Sequence, residues 1–175
     1  MEIRALTRID DRSNFRCGEP DLDRFFQKYA GQNQFRHHIG TTYIAIESGH
    51  ILGYATVSPA HLEIDALASS QARSLPKYPL PVLRLARLAV DQTAQGRGIG
   101  KALLRYIFGL AMSMSKDYGC VGVIVDAKGA ALGFYEGFGF IPLDLLEGQS
   151  KARPGFATTM FISIKTIQLA IQDWK

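Results

Sequence analysis

Apolar positions first fall at helical spacing after Pro20, a residue suited to a helix's opening turn: Leu22, Phe25, Phe26 and Tyr29 predict an early amphipathic helix. The pattern then changes. Within "TTYIAIESGHILGYATVSP" (41–59) two β-rich runs flank the turn Ser48-Gly49-His50, which predicts an antiparallel hairpin closed by Ser58-Pro59. Residues 60–75 read as helix, and "PKYPLP" (76–81) as a proline-stiffened connection that cannot continue it. "VLRLARLAV" (82–90) alternates well enough for a half-buried strand. From Ile99 the set Ala102, Leu103, Tyr106, Ile107, Leu110 and Ala111 keeps a helical stripe. "CVGVIVDA" (120–127) is a short continuous apolar run of the kind a central strand carries. "AALGFYEGFGF" (130–140) reads as a short helix stopped by Gly137 and Gly139, "FATTMFISI" (156–164) as a last strand, and the tail from Lys165 as weakly helical. The predicted order α, ββ, α, β, α, β, α, β implies an α/β class: a central mixed sheet with helices on both faces.

Between strand 82–90 and the helix from Ile99 lies Gln95-Gly96-Arg97-Gly98-Ile99-Gly100. Residues without a Cβ let backbone N–H groups approach a phosphate, and the N-terminus of the following helix adds its positive end. Two familiar phosphate loops fail on spacing. A Walker loop needs Gly where Gln95 stands and Ser or Thr where Ala102 stands; a dinucleotide fingerprint needs Gly where Lys101 stands. The plain alternative is a structural glycine turn at a helix start.

At 175 residues, 47% hydrophobic and 21% charged, the chain suits one soluble domain, 1–175, without low-complexity segments or repeats. No leader pattern or apolar run of spanning length is present, which predicts a cytoplasmic protein with no membrane partner. Cys17 and Cys120 lie outside ligand or redox spacing, so buried thiols are expected and no metal. The net charge of +4 is uneven. Arg73, Lys77, Arg84, Arg87, Arg97, Lys101 and Arg105 face one acid, Asp91, within 71–105, which favours a polyanionic ligand around the glycine loop.

The loop resembles the Gln/Arg-x-x-Gly-x-Gly/Ala loop of the GCN5-related N-acetyltransferases (GNAT). "RLAVD" before it and "FYEGFGF" (134–140) after the next strand sit where that superfamily keeps its pantetheine-pairing strand and its Phe-Tyr-x-x-x-Gly-Phe helix. The resemblance implies the GNAT fold and acetyl-CoA as cofactor. It also implies a cofactor site of Leu88, Ala89, Val90, Gln95, Gly96, Arg97, Gly98, Ile99, Gly100, Lys101 and Phe134, with the 82–90 strand pairing with the pantetheine arm. Lys128 departs from the pattern, standing where the superfamily often has Asn. A narrower resemblance, carried by "FRCGEPDLDRFFQKYAGQNQ", "TTYIAI", "PKYPLPVLRLARLAVD" and "MFISIKTI", is to acetyltransferase toxins of bacterial toxin–antitoxin pairs. It implies acetylation of the α-amino group of aminoacyl-tRNA, a block of translation, and neutralisation by a ribbon-helix-helix antitoxin. Homodimer and monomer stay open.

Acetyl transfer to an amine needs a deprotonated nucleophile and a proton for the departing thiolate. Tyr135 has two readings, a core tyrosine packed beside Phe134 and Phe138 or the proton donor, and its Phe-Tyr context favours the second. "VLRLARLAV" carries arginines and no carboxylate base, which favours an α-amine, titrating near ~8, over a lysine side chain near ~10.4. Candidate tRNA phosphate contacts are Lys28, Arg36, Arg73, Lys77, Arg84, Lys151 and Arg153; each alone also reads as solvated surface. His37 and His38 read as surface residues and Asp126 as a strand-end cap. Two alternatives stand beside the toxin reading: a GNAT enzyme acting on a small amine or a protein N-terminus, and a CoA-binding regulatory module without turnover.

Overall fold

The computed structural model describes residues 1–63, 79–143 and 157–172. Its seven strands form one mixed sheet in the order β1-β2-β3-β4-β5-β7-β6. They are β1 (Glu2–Ala5), β2 (Thr41–Glu47), β3 (His50–Leu62), β4 (Leu80–Val90), β5 (Gly122–Ala127), β6 (Ile141–Pro142) and β7 (Thr158–Ser163). Packing sorts the chain into two compact units, each assembled from two stretches: Met1–Ser58 with Leu85–Gly109, and Pro59–Arg84 with Leu110–Lys175.

In the first unit the early helix is longer than its apolar spacing implies. Helix α1 (Pro20–Arg24) runs on through a π turn (Phe25–Tyr29), an α turn (Ala30–Gln32) and a second π turn (Asn33–His37), ending at left-handed His38. Phe25, Phe26 and Ala30 of this run pack with Leu6, Phe15, Ile44, Tyr54 and Ala89. Tyr54 stacks on Phe26 with ring centroids 4.3 Å apart, and its hydroxyl donates to the Leu22 carbonyl at 2.9 Å, so this polar side-chain atom within the described cluster is satisfied.

The hairpin is present, with β2 and β3 paired antiparallel from Glu47↔His50 to Thr41↔Val57. Two expectations need correction. Residues 60–62 continue β3 and do not begin a helix; the remainder of that predicted helix, from 64, lies outside the described residues. Pro59 is tolerated because the β2 register ends at Val57, so its missing N–H removes no bond to β2. Leu80 and Pro81, assigned to a connection, open β4: Leu80 is buried, and the Pro81 carbonyl accepts from the Val121 N–H at 2.8 Å. A strand edge can use proline's acceptor without needing its donor.

β1, absent from the predicted order, pairs antiparallel with β2 from Glu2↔Ile46 to Ala5↔Tyr43. Four residues, two of them charged, give no alternation to read. The turn that follows is held by Asp10, whose carboxylate accepts two bonds from Arg4 (2.8 and 2.9 Å), plus the N–H (2.7 Å) and hydroxyl (2.8 Å) of Thr7. The Arg4 bonds, against the cost of burial, hold the Asp10 carboxyl far below the usual carboxylate range. Asp10→Asn is therefore expected to cost about 1.5–3 kcal/mol in denaturant unfolding, the range for hydrogen bonds to charged groups. Because the folded value is depressed, the wild-type contribution is full above the unfolded value near ~3.9 and is lost as pH falls below it. The Asn variant should lack that part of the acid transition.

In the second unit, β5 is the expected continuous apolar strand, with Val123, Ile124, Val125 and Ala127 buried. It pairs antiparallel with β7, which also carries the unpredicted two-residue β6. Leu62, Leu80, Val82 and Ile124 form its core cluster. Helix α2 (Ile99–Asp117), which belongs to the first unit as far as Gly109, begins where expected, but its buried stripe is Ile99, Leu103, Leu104, Ile107, Phe108, Ala111 and Met114. Ala102, Tyr106 and Leu110 are only half-buried. Helix α3 (Leu132–Glu136) ends at Gly137 with left-handed Gly139 beyond, and α4 (Ile164–Gln172) is the predicted tail helix.

Candidate active site

The strand-to-helix connection is built around Asp91, in the first unit. Its carboxylate caps a 3-10 turn (Gln92–Ala94) by accepting the Thr93 N–H at 3.0 Å and hydroxyl at 2.6 Å, and it also accepts the Arg16 N–H at 3.0 Å. Burial alone would raise the Asp91 carboxyl, but these bonds outweigh it and leave the group below its ordinary value. The Gln92 N–H returns a bond to the Arg16 carbonyl at 2.7 Å, and the Gln95 carboxamide donates to the carbonyls of Cys17 (2.9 Å) and Val90 (3.1 Å). The segment Arg16–Cys17 is thereby fastened along residues 91–95. Sequence reasoning missed this, since the partners lie 75 and 78 positions apart.

Beyond Gln95 the chain turns through Gly96 (φ 78°) and Gly98 (φ 80°), left-handed conformations that glycine adopts without strain. A Cβ at either position would meet nothing within 4 Å, so both glycines border open space. Among the described residues, the N–H groups of Gln95, Gly96, Gly98, Ile99, Gly100 and Lys101 donate to no protein acceptor. Ala102 is the first residue of α2 to close a helical bond, to the Gly98 carbonyl at 3.0 Å. Six free amide donors, four of them at the opening of a 19-residue helix, make an anion cradle with the helix dipole behind it. A diphosphate fits this donor set: it is acceptor-only, and the open space over Gly96 and Gly98 admits it.

The other expected cofactor residues divide. Leu88 and Val90 are half-buried on β4, whereas the Ala89 side chain is buried in the aromatic core, leaving only its backbone to serve a ligand. Gln95 spends its side chain on stapling the loop, so the loop amide is what it can offer. Arg97 reaches to Glu47 at 3.0 Å, and Glu47 also pairs with the N-terminal amine at 3.4 Å. Lys101 is exposed.

Tyr135 and Phe134 belong to the second unit. The Tyr135 ring is 5% exposed, set edge-on to Phe134 (5.1 Å) and Phe140 (5.4 Å), and its hydroxyl has no hydrogen-bond partner among the described residues. Burial pushes its pKa up to about 12, so it is a phenol with its proton in place at any physiological pH. Of the basic candidates, Lys28 and Arg36 are exposed on the N-terminal helical run. Arg84 is engaged by Asp126 at 2.6 Å, and Asp126 also accepts the Thr159 hydroxyl. Arg73, Lys77, Lys151 and Arg153 lie outside the described residues. His37 and His38 are exposed, as expected. Cys120 is buried and Cys17 half-buried; burial, then Asp23, raises the Cys17 thiol to about 11, so it is no ready nucleophile. No cluster of metal-holding side chains occurs among the described residues, and no described helix is long and apolar enough to cross a membrane.

Residues 38–142 match the acetyltransferase (GNAT) domain family, three-fifths of the chain and the whole of this loop. The chain belongs to the GNAT acetyltransferases. It is 34% identical over 139 residues to a tRNA-acetylating toxin of Mycobacterium tuberculosis, covering 78% of this chain and 82% of that protein. Among solved structures it resembles AtaT complexed with acetyl-methionyl-tRNAfMet, with a TM-score of 0.80, 29% identity, and coverage of 97% of this chain and 98% of that one. It also resembles a tyrosine-to-phenylalanine variant of AtaT bound to the C-terminus of the antitoxin AtaR and acetyl-CoA, with a TM-score of 0.77, 27% identity, and 97% of each chain covered. As a GNAT fold carrying this loop, the chain fits the acyl-CoA class whose diphosphate the free amides can take.

Proposed function

We propose that this GNAT enzyme transfers acetyl from acetyl-CoA to the α-amino group of aminoacyl-tRNA in the cytoplasm, as the toxin of a toxin–antitoxin pair. The observation that carries the cofactor half is the row of six unpartnered amides over Gly96 and Gly98. Likeness to a tRNA-acetylating toxin and to AtaT with its acetylated tRNA supports the acceptor half. Likeness to the AtaT–AtaR complex supports an antitoxin partner, for which we infer the ribbon-helix-helix class.

Acetyl-CoA, when bound, supplies an activated acetyl thioester. The free amides of Gln95, Gly96, Gly98, Ile99, Gly100 and Lys101 would hold its diphosphate, and the backbone of Leu88 and Val90 would align its arm. Tyr135, a buried phenol that holds its proton, would supply that proton to the thiolate leaving group. No base is required beside β4, where Arg84 is tied to Asp126 and Arg87 lies over the Phe25 ring at 3.7 Å. An α-amine is substantially deprotonated near neutral pH, unlike a lysine side chain.

Expression of the chain without its antitoxin should arrest bacterial growth and protein synthesis, because an acetylated aminoacyl-tRNA has no free amine to accept the growing peptide. Labelled methionine incorporation checks this. Normal growth with abundant soluble protein would remove the toxin reading and leave a small-amine acetyltransferase.

A further inference from the structure

In the first unit a cleft of about 290 Å³ opens between the turns after β1 and the N-terminal helical run, lined by Arg8, Arg12, Gly31, Gln32, Phe35 and Arg36. Three of its six walls are guanidinium groups. Of these only Arg36 stands out in the sequence, because Arg8 and Arg12 sit in a stretch where acids are as frequent as bases. Asp10 is tied to Arg4 and Thr7, while the exposed Asp11, a Coulombic neighbour of Arg12, spends its hydrogen bonds on the N–H (2.9 Å) and hydroxyl (2.7 Å) of Ser13. None of Arg8, Arg12 and Arg36 has a carboxylate partner among the described residues.

Arg12 carries the sharper signal. Its Nε is buried and makes no hydrogen bond, a donor withdrawn from water without compensation. The guanidinium lies against the helical run where Gly31 leaves room: a Cβ there would stand 2.9 Å from Nη1 and 3.1 Å from Nη2. With Nε withdrawn behind it, the terminal Nη1 and Nη2, which bond to no described residue, form a two-donor fork suited to a bidentate oxyanion.

We propose that this cleft is a subsite for a backbone phosphate of the RNA substrate, with Arg12 as its fork and Arg8 and Arg36 as flanking cations. The inference rests on the aminoacyl-tRNA reading above. A phosphodiester is favoured over a peptide carboxylate by Phe35, over whose ring Arg8 lies at 4.8 Å. A flat cation on an aromatic beside a phosphate site is a surface on which an RNA base can stack, which a lone carboxylate would leave unused. Lys28 continues the exposed positive charge along the same helical run.

The test compares wild type with Arg12→Gln and with Gly31→Ala, which displaces the guanidinium without removing charge. Deacylated tRNA binding is followed by fluorescence anisotropy across a salt series, alongside steady-state acetylation of charged tRNA and calorimetry of acetyl-CoA. The expected result is a tenfold or greater rise in KM for charged tRNA in both variants, with kcat and acetyl-CoA affinity unchanged. In Arg12→Gln the slope of log affinity against log salt should become shallower by about 0.7–0.9, one phosphate's share. Arg12→Lys should keep the wild-type slope yet remain weak, since the charge returns without the fork. If wild type acetylates charged tRNA while Arg12→Gln and Gly31→Ala match it in KM and slope, the subsite is overturned and the acetyltransferase reading stands. Loss of inhibition by purified antitoxin, with tRNA kinetics intact, would make the cleft a peptide dock and likewise overturn it. A wild-type protein that acetylates no charged tRNA overturns both.

Discussion

Tyr135→Phe should lower the turnover of charged-tRNA acetylation by about 10²–10⁴-fold, the usual contribution of a general acid. The ring and its contacts with Phe134 and Phe140 remain, and the lost hydroxyl bonds to no described residue. No buried partner is therefore stranded, and melting temperature and acetyl-CoA affinity should stay near wild type. The pH profile adds a check. Because burial raises the phenol to about 12, its deprotonation cannot produce an alkaline fall in rate within the working range. The rate should instead rise with pH through the titration of the acceptor amine near ~8. Near-wild-type turnover would assign the proton to water, whereas a collapse of melting temperature and cofactor binding together would return Tyr135 to a packing role.

Gly98→Asp and Gly100→Asp should each reduce acetyl-CoA affinity about a hundredfold or more, measured by calorimetry. At position 98 the new Cβ enters open space, and Asp tolerates the left-handed conformation better than most residues, so circular dichroism should report a retained fold. What changes is the ligand's side of the loop, where a carboxylate would stand against the diphosphate and Cβ would block its approach to the amides. Undiminished binding in both variants would place the diphosphate elsewhere.

The parts of this protein legible in its sequence were those set by local periodicity or backbone freedom. The α2 start, the β2–β3 hairpin, the buried run of β5 and the open glycine loop at Gly96 and Gly98 are examples. β1 and β6 were not legible because their short segments gain their pairing from neighbours distant in sequence. Prolines misled twice for one reason: Pro59 lies beyond the β2 register and Pro81 offers its carbonyl to Val121, placements that depend on register and cannot be seen in composition. At the site, the glycines announced the anion cradle, but Gln95 and Arg97 turned out to face the protein, through Cys17, Val90 and Glu47. The cleft of Arg8 and Arg12 was hidden for the opposite reason: the acids adjacent in sequence make no ion pair with either, Asp10 being tied to Arg4 and the exposed Asp11 to Ser13.

The fastening of Arg16–Cys17 to Asp91, Gln92 and Gln95 bears on how portable the glycine motif is. A graft of residues 91–101 onto another strand–helix junction would carry every glycine and every free amide, but none of the three bonds that hold Asp91, Gln92 and Gln95 to the segment 16–17. Left-handed turns through two glycines are the least restrained backbone a chain can offer, and ordering them at the moment of ligand capture would cost conformational entropy that here is spent during folding. On the proposed reading, cofactor competence would belong to a closed ring of chain, residue 16 to residue 95, and not to the loop alone.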